Sequence, residues 1–92
     1  MSGSLNKLQE LMVLTMEECG ELAQVCSKSI RKHNTIEEVI DSPVREKLIE
    51  EVGDVQCLIN LMIENNLLTK QEINARIDSK RDKLIKWSSL VE

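Results

Sequence analysis

Apolar residues recur every three to four positions along most of this chain. Leu11, Leu14, Leu22 and Val25 repeat at that spacing, as do Val44, Leu48, Val55, Leu58 and Met62. Ile73, Ile77, Leu84, Trp87 and Val91 form a third stripe. The pattern predicts three long helices, over residues 4–32, 43–65 and 70–89. His33-Asn34-Thr35 interrupts the first, and Thr35-Ile36-Glu37-Glu38 matches a capping box that opens a short helix over residues 36–40. Asp41-Ser42-Pro43 reads as a helix start, with Ser42 as N-cap and Pro43 at the first helical position. Glu64-Asn65-Asn66 closes the second long helix, and Thr69-Lys70-Gln71-Glu72 is a further capping box. No segment alternates with the period of a strand. Residues 1–4 read as a loose end. The fold class is therefore all-α: three long helices and a short one in a single domain.

Composition narrows the field. The chain has 92 residues, with one Trp and no Phe or Tyr. A surface that stacks single-stranded bases needs aromatic side chains, so a nucleic-acid polymer is not an expected partner. Sixteen Asp and Glu against 12 Lys and Arg give a net charge of −4, unlike the basic surface that binds a duplex. No apolar run reaches the roughly 18 residues of a membrane span. Three cysteines (Cys19, Cys26 and Cys57) are an odd number without a CxxC pair, and no signal-peptide pattern is present. A reducing cytoplasm is the expected location. A chain this short makes a thin core, so pairing into a homodimer or homotetramer, as part of an oligomeric helical bundle, is expected to bury the rest.

One internal echo carries the chemistry. Met16-Glu17-Glu18-Cys19-Gly20-Glu21-Leu22 resembles Ile49-Glu50-Glu51-Val52-Gly53-Asp54-Val55. At about 100° per residue, Leu11, Leu14, Leu22 and Val25 fall within roughly 40° of Glu18, with Glu21 on the flank. Val44, Leu48, Val55, Leu58 and Met62 surround Glu51 in the same way, with Asp54 on the flank. Acids on a packing face are costly unless something compensates their desolvation. Two helices packed by these stripes bring Glu18, Glu21, Glu51 and Asp54 toward one place, where they stay ionised only around a cation. Oxygen-only ligation selects a hard ion, Mg²⁺ or Mn²⁺. The alternative is that the acids sit at the stripe edge and reach water or lysines. A ferritin-like di-iron site needs Glu-x-x-His, which His33 does not complete, and neither an EF-hand loop nor a zinc-ligand spacing is present.

Glu18-Cys19-Gly20-Glu21 followed about thirty residues later by Glu51-Val52-Gly53-Asp54 resembles the MazG-like, all-α nucleoside triphosphate pyrophosphohydrolases. The likeness spans residues 8–65 and includes the neighbouring Glu17, Leu22, Ala23, Gln24, Leu48, Ile49, Glu50 and Val55. It implies hydrolysis of a nucleoside triphosphate between the α- and β-phosphates, giving a monophosphate and pyrophosphate. It implies Mg²⁺ held by the four carboxylates as both the metal and the catalytic set, and it implies dimers or tetramers. Glu17 and Glu50 lie about 100° from the ligands. They read as solvated helix surface, the alternative being that one orients water or holds a second ion.

A metal-bound polyphosphate usually also meets cations. Lys28 lies two turns beyond Glu21, about 10 Å along the axis, and Arg31 follows near the same helix end. The MazG-like resemblance implies a Lys/Arg pair here. Lys28 and Arg31 are therefore substrate-binding candidates, or else they complement the helix C-terminus. Lys80 falls in the middle of the third stripe, flanked by Arg76 and Arg81. It either snorkels to water or points toward the acids as a third substrate-binding candidate. Trp87 reads as a packing anchor, His33 as a loop residue, and the cysteines as small core or boundary residues. Gly20 and Gly53 each cost about 1 kcal/mol against Ala inside a helix, which a close helix approach or a local bulge would explain. The expectation against these readings is a non-catalytic helical interaction module, or a nucleotide sensor, dimerising through its apolar stripes.

Overall fold

The computed structural model describes residues 4–91. Most of the expected loose end, residues 1–4, lies outside that range. The described residues form helices and no strand: α1 (Lys7–Lys32), α2 (Ile36–Ile40), α3 (Val44–Glu64) and α4 (Lys70–Trp87). None of them is long and apolar enough to cross a membrane. The chain is thus all-α, with the three long helices and the short one where the pattern predicts them.

Local chemistry sets the ends. α1 starts later than the stripe suggests because Asn6 and Gln9 form a capping box. The Asn6 carboxamide oxygen accepts from the Gln9 N–H at 2.8 Å, and the Gln9 oxygen accepts from the Asn6 N–H at 3.0 Å. Thr69 and Glu72 do the same for α4, at 3.1 and 3.0 Å. The expected box at Thr35 forms only in part. Its hydroxyl caps the Glu38 N–H at 3.1 Å, but the Glu38 carboxylate reaches the Asn34 N–H at 3.4 Å instead of that of Thr35. Ser42 does not act as the expected side-chain cap of α3. Its hydroxyl donates to the Val39 carbonyl at 2.8 Å, closing α2 across a link too short to serve both helices. At the other end of α3, Asn66 adopts φ 61°. The Asn66 N–H donates to Ile63 and that of Leu67 to Met62, the two bonds of a Schellman turn.

The chain divides into two compact units between Leu61 and Met62. In the first, Val25 of α1 shares a cleft with Val44 of α3, and Leu14 and Glu18 share another with Asp54 and Leu58. Numbers rise along one helix as they fall along the other, so α1 and α3 run antiparallel. Among the described residues, Leu11, Val25, Val44 and Leu58 are the buried apolar ones, joined by one charged residue, Glu51, which is 1% exposed. The second unit holds the Schellman turn and α4, on which Ile73 and Leu84 are half-buried.

Two side-chain expectations are corrected, those for the cysteines and for Trp87. Cys19, Cys26 and Cys57 are all exposed, not core or boundary residues, and Cys57 borders the open cleft beside Leu14 and Leu58. Trp87 is 84% exposed and anchors nothing within the chain, being the last residue of α4. A Cβ placed on Gly20 or Gly53 would meet nothing within 4 Å, so no helix of this chain approaches either. Both glycines lie in unbroken α-helix, so no bulge explains them.

Candidate metal centre

The carboxylates stand where α1 and α3 face each other. Glu18, Glu51 and Asp54 each offer one oxygen, and these oxygens lie within 4.8 Å of one another. Their backbone positions follow from register. Glu18 shares the buried stripe of Leu11 and Val25, and Glu51 that of Val44 and Leu58. Asp54, one turn after Glu51, is exposed and closes the group from the flank. Glu21, one turn after Glu18, is also exposed, and it stands near enough to Glu51 for its charge to act on that carboxyl. The four expected acids are thus brought together as a tight trio with a fourth beside Glu51.

The electrostatics are unfavourable without a cation. Burial pushes the Glu18 carboxyl above its ordinary 4.5, and the charges of Glu21, Asp54 and Glu51 push it further. Burial also pushes Glu51 up, with Glu21 adding to the rise, and the ammonium of Lys47 offsets only part of this. Glu18 Oε2 and Glu51 Oε2 are buried with no hydrogen-bond donor. A buried acceptor without a donor loses its solvation and regains nothing.

A hard divalent ion fits this donor set. Around octahedral Mg²⁺ opposite oxygens stand about 4.2 Å apart and adjacent ones about 3 Å. A trio already within 4.8 Å needs only small side-chain adjustments to reach that geometry. The two orphaned oxygens are the natural first ligands, since a cation would replace the missing donors.

The clefts on either side differ in character. One, of about 260 Å³, is lined by Leu14, Glu18, Asp54, Cys57 and Leu58, so it is largely apolar beside two of the acids. The other, of about 230 Å³, lies toward the end of α1 and the start of α3 and is lined by Lys28 among other basic residues. Lys28 is where the sequence places it, exposed and two turns beyond Glu21. Arg31 is exposed but is not a wall of that cleft. Lys80 lies exposed on α4, in the second unit, and the trio is assembled by α1 and α3 without it.

Lys47 escaped the sequence reading. Its ammonium donates to Glu50 Oε2 at 2.9 Å and lies 3.3 Å from Glu51 Oε1. Those bonds hold it above its ordinary value. The signal was the Lys47-to-Glu51 spacing of four, which stacks the pair on one helix face. Glu50 is an exposed residue paired with Lys47, in keeping with its reading as helix surface.

Comparison with protein-family models, curated proteins and solved structures finds no match to this chain.

Proposed function

We propose that this chain is a Mg²⁺-dependent nucleoside triphosphate pyrophosphohydrolase of the MazG-like type, working as a homodimer or homotetramer in the cytoplasm. The observation that carries this is Glu51: an acid 1% exposed, with one oxygen lacking any donor, converging with Glu18 and Asp54. A buried carboxylate kept among other carboxylates is hard to explain by packing, because an apolar residue of similar volume would serve the core better.

A bound divalent cation supplies charge neutralisation for the phosphates and an acidified water. The chain's own groups do the rest. Glu18, Glu51 and Asp54 fix the position at which the triphosphate is held, with Glu21 tuning the charge beside Glu51. Leu14 and Leu58 give the neighbouring cleft an apolar wall, which suits the less charged nucleoside end. Lys28 lies on the opposite side and suits the phosphate end. Base stacking contributes little, since the single aromatic residue is Trp87 at the end of α4.

The interaction-module reading is favoured by a different observation, the exposed Met16, Ile49 and Val52. A screen of nucleoside triphosphates with Mg²⁺, assayed for pyrophosphate release, separates the two. Release of pyrophosphate is expected, with Glu51→Gln and Asp54→Asn each lowering kcat/KM by about 10²–10³-fold. No release from any common nucleotide, together with no cation binding by calorimetry, would leave the interaction module.

A further inference from the structure

The cleft toward the start of α3 has the opposite sign to the carboxylates. Lys28, Lys32, His33 and Lys47 stand on its walls, with Val25 and Val44 as its apolar part. No carboxylate lines it. At about 30 Å³ per water, its volume of about 230 Å³ holds roughly seven waters, or a small oxyanion with part of its hydration. Lys28 and Lys32 put two positive charges on these walls that no acid among the described residues pairs, and an anion there relieves their repulsion. The amides that open α3 add the positive end of a helix 21 residues long. The acids that touch these walls hold only two of them. Glu50 and Glu51 hold Lys47, and Glu38 lies 4.0 Å from His33.

Lys47 belongs to both clusters. Its side chain is a wall of the cleft, while its ammonium compensates Glu51 at 3.3 Å. A single flexible lysine cannot fully serve both places.

We propose that the cleft lined by Lys28, Lys32, His33 and Lys47 is an oxyanion subsite for the polyphosphate, and that Lys47 couples it to the carboxylates. While Glu51 carries no cation, the Lys47 ammonium compensates its charge. When a cation takes that role, the ammonium is freed for the anion in the cleft. The coupling rests on the cation reading of Glu18, Glu51 and Asp54; the affinity of the cleft for an oxyanion does not.

Two titrations of the full chain test this. The first uses inorganic pyrophosphate in EDTA, followed by calorimetry. The double variant Lys28→Met/Lys32→Met is expected to weaken binding about tenfold or more. Lys28→Arg/Lys32→Arg should retain it, and Lys7→Met, which removes one charge at the far end of α1, should leave it unchanged. Equal affinity in the double methionine variant, or an equal loss in Lys7→Met, would overturn the subsite. The second uses Mn²⁺ alone, followed by electron paramagnetic resonance. Lys47→Met is expected to bind Mn²⁺ several-fold tighter than the unaltered chain, since its competitor at Glu51 is gone. Unchanged or weaker Mn²⁺ binding would overturn the coupling. If the unaltered chain binds no Mn²⁺, the cation reading and the coupling fail together, while the pyrophosphate titration still decides the cleft.

Discussion

At the scale of a residue, Glu51 concentrates the tension in this protein. Among the described residues it is the one buried charged group, and Lys47 satisfies one of its oxygens while the other has no donor. Burial raises its pKa, as it does that of Glu18. The sign of the pH effect follows. A carboxyl whose folded pKa lies above its unfolded value binds more protons when folded, so stability falls as pH rises between the two values. In EDTA, thermal unfolding should therefore show a midpoint that declines as pH rises above 4.5 toward the raised values of Glu18 and Glu51. Mg²⁺ should flatten that decline, and Glu51→Gln should remove much of it. A midpoint that rises steadily over this window in EDTA would contradict the raised values. The placement of Glu18 and Glu51 was legible from angular arithmetic on each helix alone. Lys47 was less so, because a wheel shows which residues share a face but not which neighbour a long side chain chooses.

At the scale of an element, the chain is punctuated by side chains that cap backbone amides. Thr69 with Glu72 was readable as a start signal because both partners lie inside one local motif. Ser42 was not, because its hydroxyl had a competing carbonyl at Val39 that exists only once α2 has formed. The end of α3 depends on Asn66 at φ 61°, a region that costs most residues about 1–2 kcal/mol and that Asn tolerates better. Asn66→Ala should lower stability by about 1 kcal/mol, and Asn66→Gly should be close to neutral, as measured by urea unfolding. An alanine variant as stable as the parent would mean that the turn opens at little cost. The cysteines show where single-helix patterns stop informing. Cys19, Cys26 and Cys57 are small and apolar enough for a core, yet all three are exposed.

At the scale of the whole molecule, two faces of α1 and α3 compete for explanation. One carries the acids and the buried apolar residues. The other, the back of each helix and so opposite sides of the pair, leaves Met16 67% exposed on α1 and Ile49 54% and Val52 49% exposed on α3, with Gly20 and Gly53 beside them and open space over both glycines. A side chain there would cost nothing within one chain, whereas further copies of the chain seated on these two backs would give the glycines a reason. Sedimentation of the unaltered chain should then show a dimer or larger species, and Met16→Glu or Ile49→Glu should shift it toward the monomer. A monomer at all concentrations would remove the oligomeric part of the proposal. That face was only half legible in the sequence. The repeat of Gly20 and Gly53 marked it, but nothing in one helix tells which of its faces a neighbour will cover.

Trp87 ends α4 with most of its ring in water, and it is the single Trp in a chain without Tyr or Phe. The protein's intrinsic fluorescence is therefore the emission of one indole at one known place. It carries no background from a core, so a blue shift or a loss of quenching by iodide reports directly that something has come to cover the end of α4. The scarcity of aromatic residues that deprives the chain of stacking surfaces thus equips it with a built-in optical label, free of any competing signal.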